Sequence, residues 1–299
     1  MQGILIIVAI LIGILIPQAA AGTFLIRYNL MIMLFFVFLD IQLRRDTLQF
    51  MHVKVLLTNL ILPLILFSLI QFIDIRLATA IFLITAMPTA GVAPIIAGFL
   101  GSRVELVTAS ILLTSPVIAV LLPFLFGIIG TEGLDIPFLK IMLPISVVIF
   151  IPLFLGQFFK NLLPKVAEKI RTVRRISFIL FLANVFIASA NASAFIQNNQ
   201  QTNKLFILLI AASIALVCVF NFKIGEKLGG AELKMEASLG LGRKNTMFGV
   251  WLALTFFDPL VALGPMFYIL FQNAYNSYQI YQYQKEDSLK AGAISNQKI

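Results

Sequence analysis

The stretch ASLGLGRKNTMFGVWLALTFFD, Ala237 to Asp258, decides how the rest of the chain is read. It is apolar enough to lie in a bilayer, yet its first half holds Gly240, Gly242, Arg243, Lys244 and Asn245. Hydrocarbon offers no water to exposed backbone groups, and a Lys or Arg at the centre of a span costs roughly 2.5 to 3.5 kcal/mol. Such residues need partners or a wet cavity. Gly240 and Gly242 loosen the helix just ahead of Arg243, Lys244, Asn245 and Thr246, which predicts a broken helix lining a polar cavity. An earlier stretch, MPTAGVAPIIAGFLGSR from Met87 to Arg103, is interrupted in the same way by Pro88, Gly91 and Pro94. Two interrupted apolar segments in corresponding halves mark a secondary transporter.

Composition agrees. Hydrophobic residues make up 60% of the 299, and only 12% are charged, which describes an integral membrane protein with room for about ten spans of roughly 20 residues. The net charge of +9 is scattered through short loops, so membrane topology explains it and no nucleic acid partner is expected. One cysteine, Cys218, excludes an intrachain disulfide and a cysteine metal cluster. The only histidine, His52, reads as lying beside a loop, without a second histidine for a metal.

Taken in order, residues 3 to 16 form a first span without the positive leader of a secretory signal, so it is read as retained. Spans follow at about 23–39, entering with Arg27, and about 53–73, kinked by Pro63 and carrying Thr58 and Asn59. The interrupted fourth span covers about 77–100. The fifth, about 104–130, holds Thr108, Ser110, Thr114, Ser115 and Pro116, a kink that frees carbonyls for hydroxyls, water or a cation. After a polar turn at 130–137 come spans at about 137–159, 176–195 and 205–222, the broken stretch, and a last span at about 259–282. The basic run 160–175 and the charged run 223–236 read as loops.

Ten spans put sixteen Lys and Arg residues, among them Arg44, Arg45, Lys165, Arg174 and Lys227, on the side of both termini. Only Arg27, Arg76, Lys140 and Lys204 fall on the other side. The positive-inside rule then expects both termini in the cytoplasm of an inner, or plasma, membrane.

Several fragments resemble the bile acid:sodium symporter family, including its bacterial homologues. NLMIMLFFVFLDIQLRRDTLQF, 29 to 50, is similar to the family's second span, and MLPISVVIFIPLFLGQFFKNLLPKVAEKIR, 142 to 171, to its sixth. TFFDPLVALGPMFYILFQNAYNS, 255 to 277, is similar to its final helix. The resemblance implies an all-α membrane fold of two inverted five-helix repeats, 1–130 and 137–284, with a cytoplasmic tail at 285–299. It implies panel and core domains, with fourth and ninth helices that unwind and cross where substrate and ions bind. By that analogy Asn245 and Thr246 match a Gln-Asn-Ser run, and Gln272 and Asn273 fall at a His-Asn pair.

The departures concern sodium. In the family's ninth-helix pattern a Glu and a Gln help hold the ion; here Gly240 stands at the Glu position and Lys244 at the Gln, with Gly242 kept. Ala93 and Pro94 stand at a Ser-Asn pair, and Thr58 at the third-helix Gln. A hard cation wants several oxygens, one of them charged, and a fixed positive charge beside its place repels it. Sodium coupling is therefore expected to be lost.

Two readings of the cationic pair remain. Lys244 is a built-in cation, or titrates to couple transport to protons, while Arg243 binds an anionic substrate; or both side chains snorkel to the surface. Asp258 and Glu105 are the nearest candidate counter-charges, each at an expected helix end, and Phe99, Trp251, Phe256 and Phe257 read as packing or lipid-facing. The expected function is transport of a small organic anion by alternating access. Arg243, Asn245, Thr246, Gln272, Asn273, Thr114 and Asn59 are the substrate candidates, without cofactor or metal. The alternative is a non-transporting sensor or interaction protein on a degenerate transporter fold. No Asp-rich, His-Glu or Ser-His-Asp set supports an enzyme.

Overall fold

A computed structural model describes residues 2–41, 47–129, 138–198 and 204–296. Arg44 and Arg45, the turn at 130–137 and most of the polar loop after Asn198 lie outside the described residues. The described chain is all-α, a multi-helix integral membrane fold. Its helices are α1 (Gln2–Leu15), α2 (Leu25–Asp40), α3 (Phe50–Ile70), α4 (Ile75–Ala86), α5 (Ala93–Phe99), α6 (Val104–Ile128) and α7 (Phe138–Leu162). They continue with α8 (Pro164–Thr172), α9 (Ile176–Asn198), α10 (Lys204–Gly229), α11 (Lys234–Gly242), α12 (Thr246–Phe256) and α13 (Leu263–Asn296). Among the described residues five of these, α3, α6, α7, α9 and α10, are long and apolar enough to cross a membrane unaided.

The helices pack in two groups. α1 lies along α9 and α2 along α7, with α2 also against α9. α3 through α6 pack with α10 through α13. The α2–α7 crossing is close because Gly156 has no side chain: a Cβ there would stand 2.9 Å from Leu39 N and 3.0 Å from Phe38. Beyond it, Gln157 Nε2 donates to Phe38 O at 2.8 Å and Lys160 Nζ to Ile41 O at 2.6 Å, satisfying carbonyls at the end of α2.

The broken elements are innermost. Every residue from Leu77 to Ala86 on α4 and from Glu236 to Gly242 on α11 is buried, as is most of α12. Irregular backbone at bilayer depth is tolerated where protein rather than lipid surrounds it. Ordinary caps close the outer ends: Asp74 accepts from Arg76 N and Leu77 N at 2.8 and 3.0 Å at the start of α4.

Three local expectations are corrected. His52 is not in a loop; it is buried in the first turn of α3, where Nδ1 accepts from Gln49 N at 2.9 Å and Nε2 donates to Leu106 O at 2.8 Å. The run 160–175 contains α8, whose Pro164 occupies the first helical position, where a missing N–H costs nothing. The last helix does not stop near 282 but continues to Asn296, through most of the expected tail.

Gly225 sets the spacing of α10 and α11, since a Cβ there would meet Ala237 O at 2.5 Å. Overpacking of this kind costs about 1–3 kcal/mol. The G225V chain in detergent is therefore expected to lose several degrees of thermal midpoint, measured by unfolding of the purified protein.

Candidate functional site

The two breaks meet. Between α4 and α5 the chain leaves the helix over Met87–Ala90, and between α11 and α12 over Arg243–Asn245, with Met87 and Arg243 extended. Thr89 and Lys244 form an antiparallel bridge: Ala90 N donates to Arg243 O and Asn245 N to Pro88 O, each at 2.8 Å. Each break thus supplies hydrogen-bond partners that the other lost on leaving the helix, and side chains supply more. Thr89 Oγ1 donates to Gly240 O at 2.7 Å, and Tyr268 OH on α13 to Gly242 O at 2.8 Å, covering two carbonyls at the end of α11. Thr114 Oγ1 accepts from Thr89 N at 3.2 Å and donates to Ser110 O at 2.7 Å. Asn245 Oδ1 caps α12 by accepting from Phe248 N at 3.2 Å.

Lys244 sits in the middle and is fully buried, at 0% exposure. Its backbone N–H donates to Gln272 Oε1 at 3.1 Å. Its ammonium donates to Asn59 Oδ1 on α3, and to Thr85 O at 2.6 Å in the last turn of α4. That carbonyl has no helical partner, and a cation at a helix C-terminus is favoured by the macrodipole. Arg243 is buried at 6% exposure, with Nη1 donating to Asn276 Oδ1 at 3.1 Å. From Asn276 a buried polar chain continues through Gln279 Oε1 at 2.9 Å, and Gln279 Nε2 reaches Ser238 Oγ at 3.2 Å.

The snorkelling alternative is thus overturned for both cations. Neither expected counter-charge reaches them: Glu105 is exposed, and Asp258 caps the turn Pro259–Ala262 by accepting from Leu260 N at 2.8 Å. Among the described carboxylates, the buried one is Glu236, which accepts from Arg103 N at 2.9 Å. Among the described residues no group of three or more His, Cys, Asp or Glu side chains is placed to hold a metal.

The structure brings Asn59, Thr114, Lys244, Gln272 and Arg243 together and leaves Asn273 outside, bonded to Ile269 O at 2.8 Å on its own helix. Thr246 is buried beside the bridge. Thr58 likewise bonds its own helix, at Lys54 O, and Asn59 holds the inner position. Pro94 lies in the first turn of α5, and Gly91 faces Val37 of α2, where a Cβ would collide. Gly240 and Gly242 belong to the last turn of α11, so the break follows them; Gly242 leaves room for the Phe222 ring. Sequence reasoning did not single out Thr89, Thr85 or Tyr268. Two of these three act wholly or partly through backbone groups, which carry no sequence signal, and Tyr268 reads as one aromatic among many.

A family model described as Sodium Bile acid symporter family matches residues 20–199, more than half of the chain. No curated protein matches.

Breaking a buried charge's hydrogen bond costs more than removing both partners, because a stranded charge keeps its desolvation penalty. The N59L variant is expected to lose about 2–4 kcal/mol of stability, and N59L/K244M less than the sum of the single losses, with a coupling of about 1–3 kcal/mol. Denaturant unfolding of the four chains checks this.

Proposed function

The chain belongs to the sodium bile acid symporter family, and we propose that it is a secondary transporter moving a small organic anion by alternating access without sodium. The family assignment supports a membrane carrier rather than an enzyme. On this reading the segments are ten spans in two inverted repeats of five, 1–130 and 137–284. α4 with α5 and α11 with α12 are the broken fourth and ninth spans. α1, α2, α7 and α9, with α8 against α7, form the panel, and α3 to α6 with α10 to α13 form the core. The distribution of Lys and Arg supports both termini in the cytoplasm and an inner-membrane location.

The observation that carries the ionic part is the Lys244 ammonium between Asn59 and the end of α4. Asn59 Oδ1 and Thr85 O, the oxygens next to it, already accept from this tethered cation. Gly240 provides no carboxylate, and the space beside it is taken by Ser110 and Val55, with Ser110 Oγ 3.1 Å from where a Cβ would be. These residues do not fit a sodium ion, and Lys244 serves in its place. Arg243 and Lys244 lack a carboxylate partner among the described residues, so the crossover presents net positive charge to whatever approaches it. That favours an anionic cargo. Asn245, Thr246 and Gln272 stand beside the cations as its polar contacts.

Proteoliposomes holding the purified protein, screened with labelled organic anions under separate sodium and pH gradients, test this. Uptake is expected to be unchanged by a sodium gradient, and K244Q to lower the initial rate at least about tenfold, 1.4 kcal/mol. Sodium-driven accumulation would overturn the reading of Lys244. A response to the pH gradient that K244Q abolishes would assign the lysine to proton coupling. Absence of uptake for every anion would favour a sensor.

A further inference from the structure

A second charged feature lies at the membrane surface, away from the crossover. α8 joins the ends of two long apolar spans, α7 and α9, which places it where the bilayer meets water. Its residues divide into three stripes at helical spacing. Ala167, Arg171 and Arg174 face the protein. Ala167 is buried; Arg171 donates to Asp40 Oδ1 from Nε and to Leu39 O from Nη2, each at 3.0 Å; Arg174 Nη1 donates to Asp40 Oδ2 at 2.7 Å. These bonds pin α8 to the end of α2. Val166, Ile170 and Val173 make the second stripe, in which both valines are exposed, and the exposed Leu162 and Leu163 extend it. Lys165, Glu168, Lys169 and Thr172 make the third, and all four are exposed.

A helix with one stripe on protein, one apolar and one polar is shaped to lie in an interface. Its charge is of one sign. The run 160–175 holds six basic residues against one acidic, Glu168. Asp40 engages Arg171 and Arg174, while the described ion pairs leave Lys165, Lys169 and Arg175 aside. Lys165 and Lys169 are one turn apart, and Lys169 stands three residues after Val166 and four before Val173, so the cations border the apolar stripe. A nucleic acid or an acidic protein would meet the lysines and leave the valines and leucines in water. A phospholipid meets both, and an anionic headgroup gains from the lysines what a zwitterionic one does not.

We propose that α8 is a binding site for an anionic phospholipid, with its headgroup at Lys165 and Lys169, its chains against Val166 and Val173, and Arg175 adding to the local positive potential. Because Arg171 and Arg174 tie α8 to α2, a lipid held here fixes the depth at which that packing group sits in the bilayer. The site needs only the membrane fold and stands whether or not the chain is a carrier.

The full-length protein in detergent is titrated with dioleoylphosphatidylglycerol and with dioleoylphosphatidylcholine, and bound lipids are counted by native mass spectrometry. Each Lys or Arg near an anionic surface raises binding roughly fivefold, and Glu168 offsets part of the pair's effect. The first phosphatidylglycerol is therefore expected to bind about fivefold or more tightly than phosphatidylcholine, and K165Q/K169Q to bring the two within about twofold. K140Q/K204Q removes the same charge away from α8 and should leave the preference in place. All four lysines are exposed, so neither variant removes a packed contact. Glycerol 3-phosphate should not displace the bound lipid, since it has no chains for the apolar stripe. Equal affinities for the two lipids, a preference that survives K165Q/K169Q, or one that falls as far in K140Q/K204Q would overturn the site and leave the run as general positive charge. Displacement by glycerol 3-phosphate would overturn the lipid assignment and make α8 a site for soluble phosphates.

Discussion

Two hydrogen bonds between the broken segments, Ala90 N to Arg243 O and Asn245 N to Pro88 O, are the constraint on which the interior depends. Unwinding a helix inside a bilayer releases backbone donors and acceptors that hydrocarbon cannot satisfy, each at a cost of several kcal/mol. One break alone would strand those groups. Two breaks that cross can serve one another, and two carbonyls at the end of α11, those of Gly240 and Gly242, are met by Thr89 and Tyr268. The halves of the chain are therefore interlocked at residues more than 150 positions apart, and each interruption requires the other.

The crossover belongs wholly to one packing group. α1, α2, α7 and α9 contribute nothing to the bridge, yet they touch the group that holds it, through α2 and α9 against α12 and through α7 against α6. Gly91 marks one such contact, where the break runs directly against Val37 of α2. A boundary of this kind can slide or rock without disturbing the hydrogen bonds inside the crossover, whereas any motion within the crossover would have to break them. This division supports a rigid core moving against a panel.

Much of this was legible because a bilayer penalises polar and irregular features so heavily that those present stand out. The prolines near residue 90, the Gly240–Gly242 pair and Arg243–Lys244 all marked the true breaks, within a few residues. What stayed hidden has physical reasons. The partners of Lys244 are an Asn on α3 and a backbone carbonyl on α4, brought near only by tertiary packing. His52 and Glu236 sit in polar runs that read as loops, but each is buried and bonded to a distant backbone group, Leu106 O and Arg103 N. α8 is short and strongly basic on one side, so its helical period is outweighed by its charge, and Pro164 reads as a breaker although it begins the helix.

A mobile ion and a tethered ammonium differ less in charge than in what they let a protein do. An ion stabilises the state that binds it by an amount set by its concentration, so a gradient of that ion can bias the equilibrium between conformations. A lysine side chain is present at the same effective concentration on both sides of the membrane and in every conformation that keeps the crossover intact. It can hold the two breaks together, at the end of α4 and against Asn59, but transmits no energy from the bath unless its proton leaves. On the reading proposed for Lys244, the architecture of a sodium symporter is retained while its thermodynamic drive is removed. The cargo's own gradient, or a proton, must then supply the direction of transport.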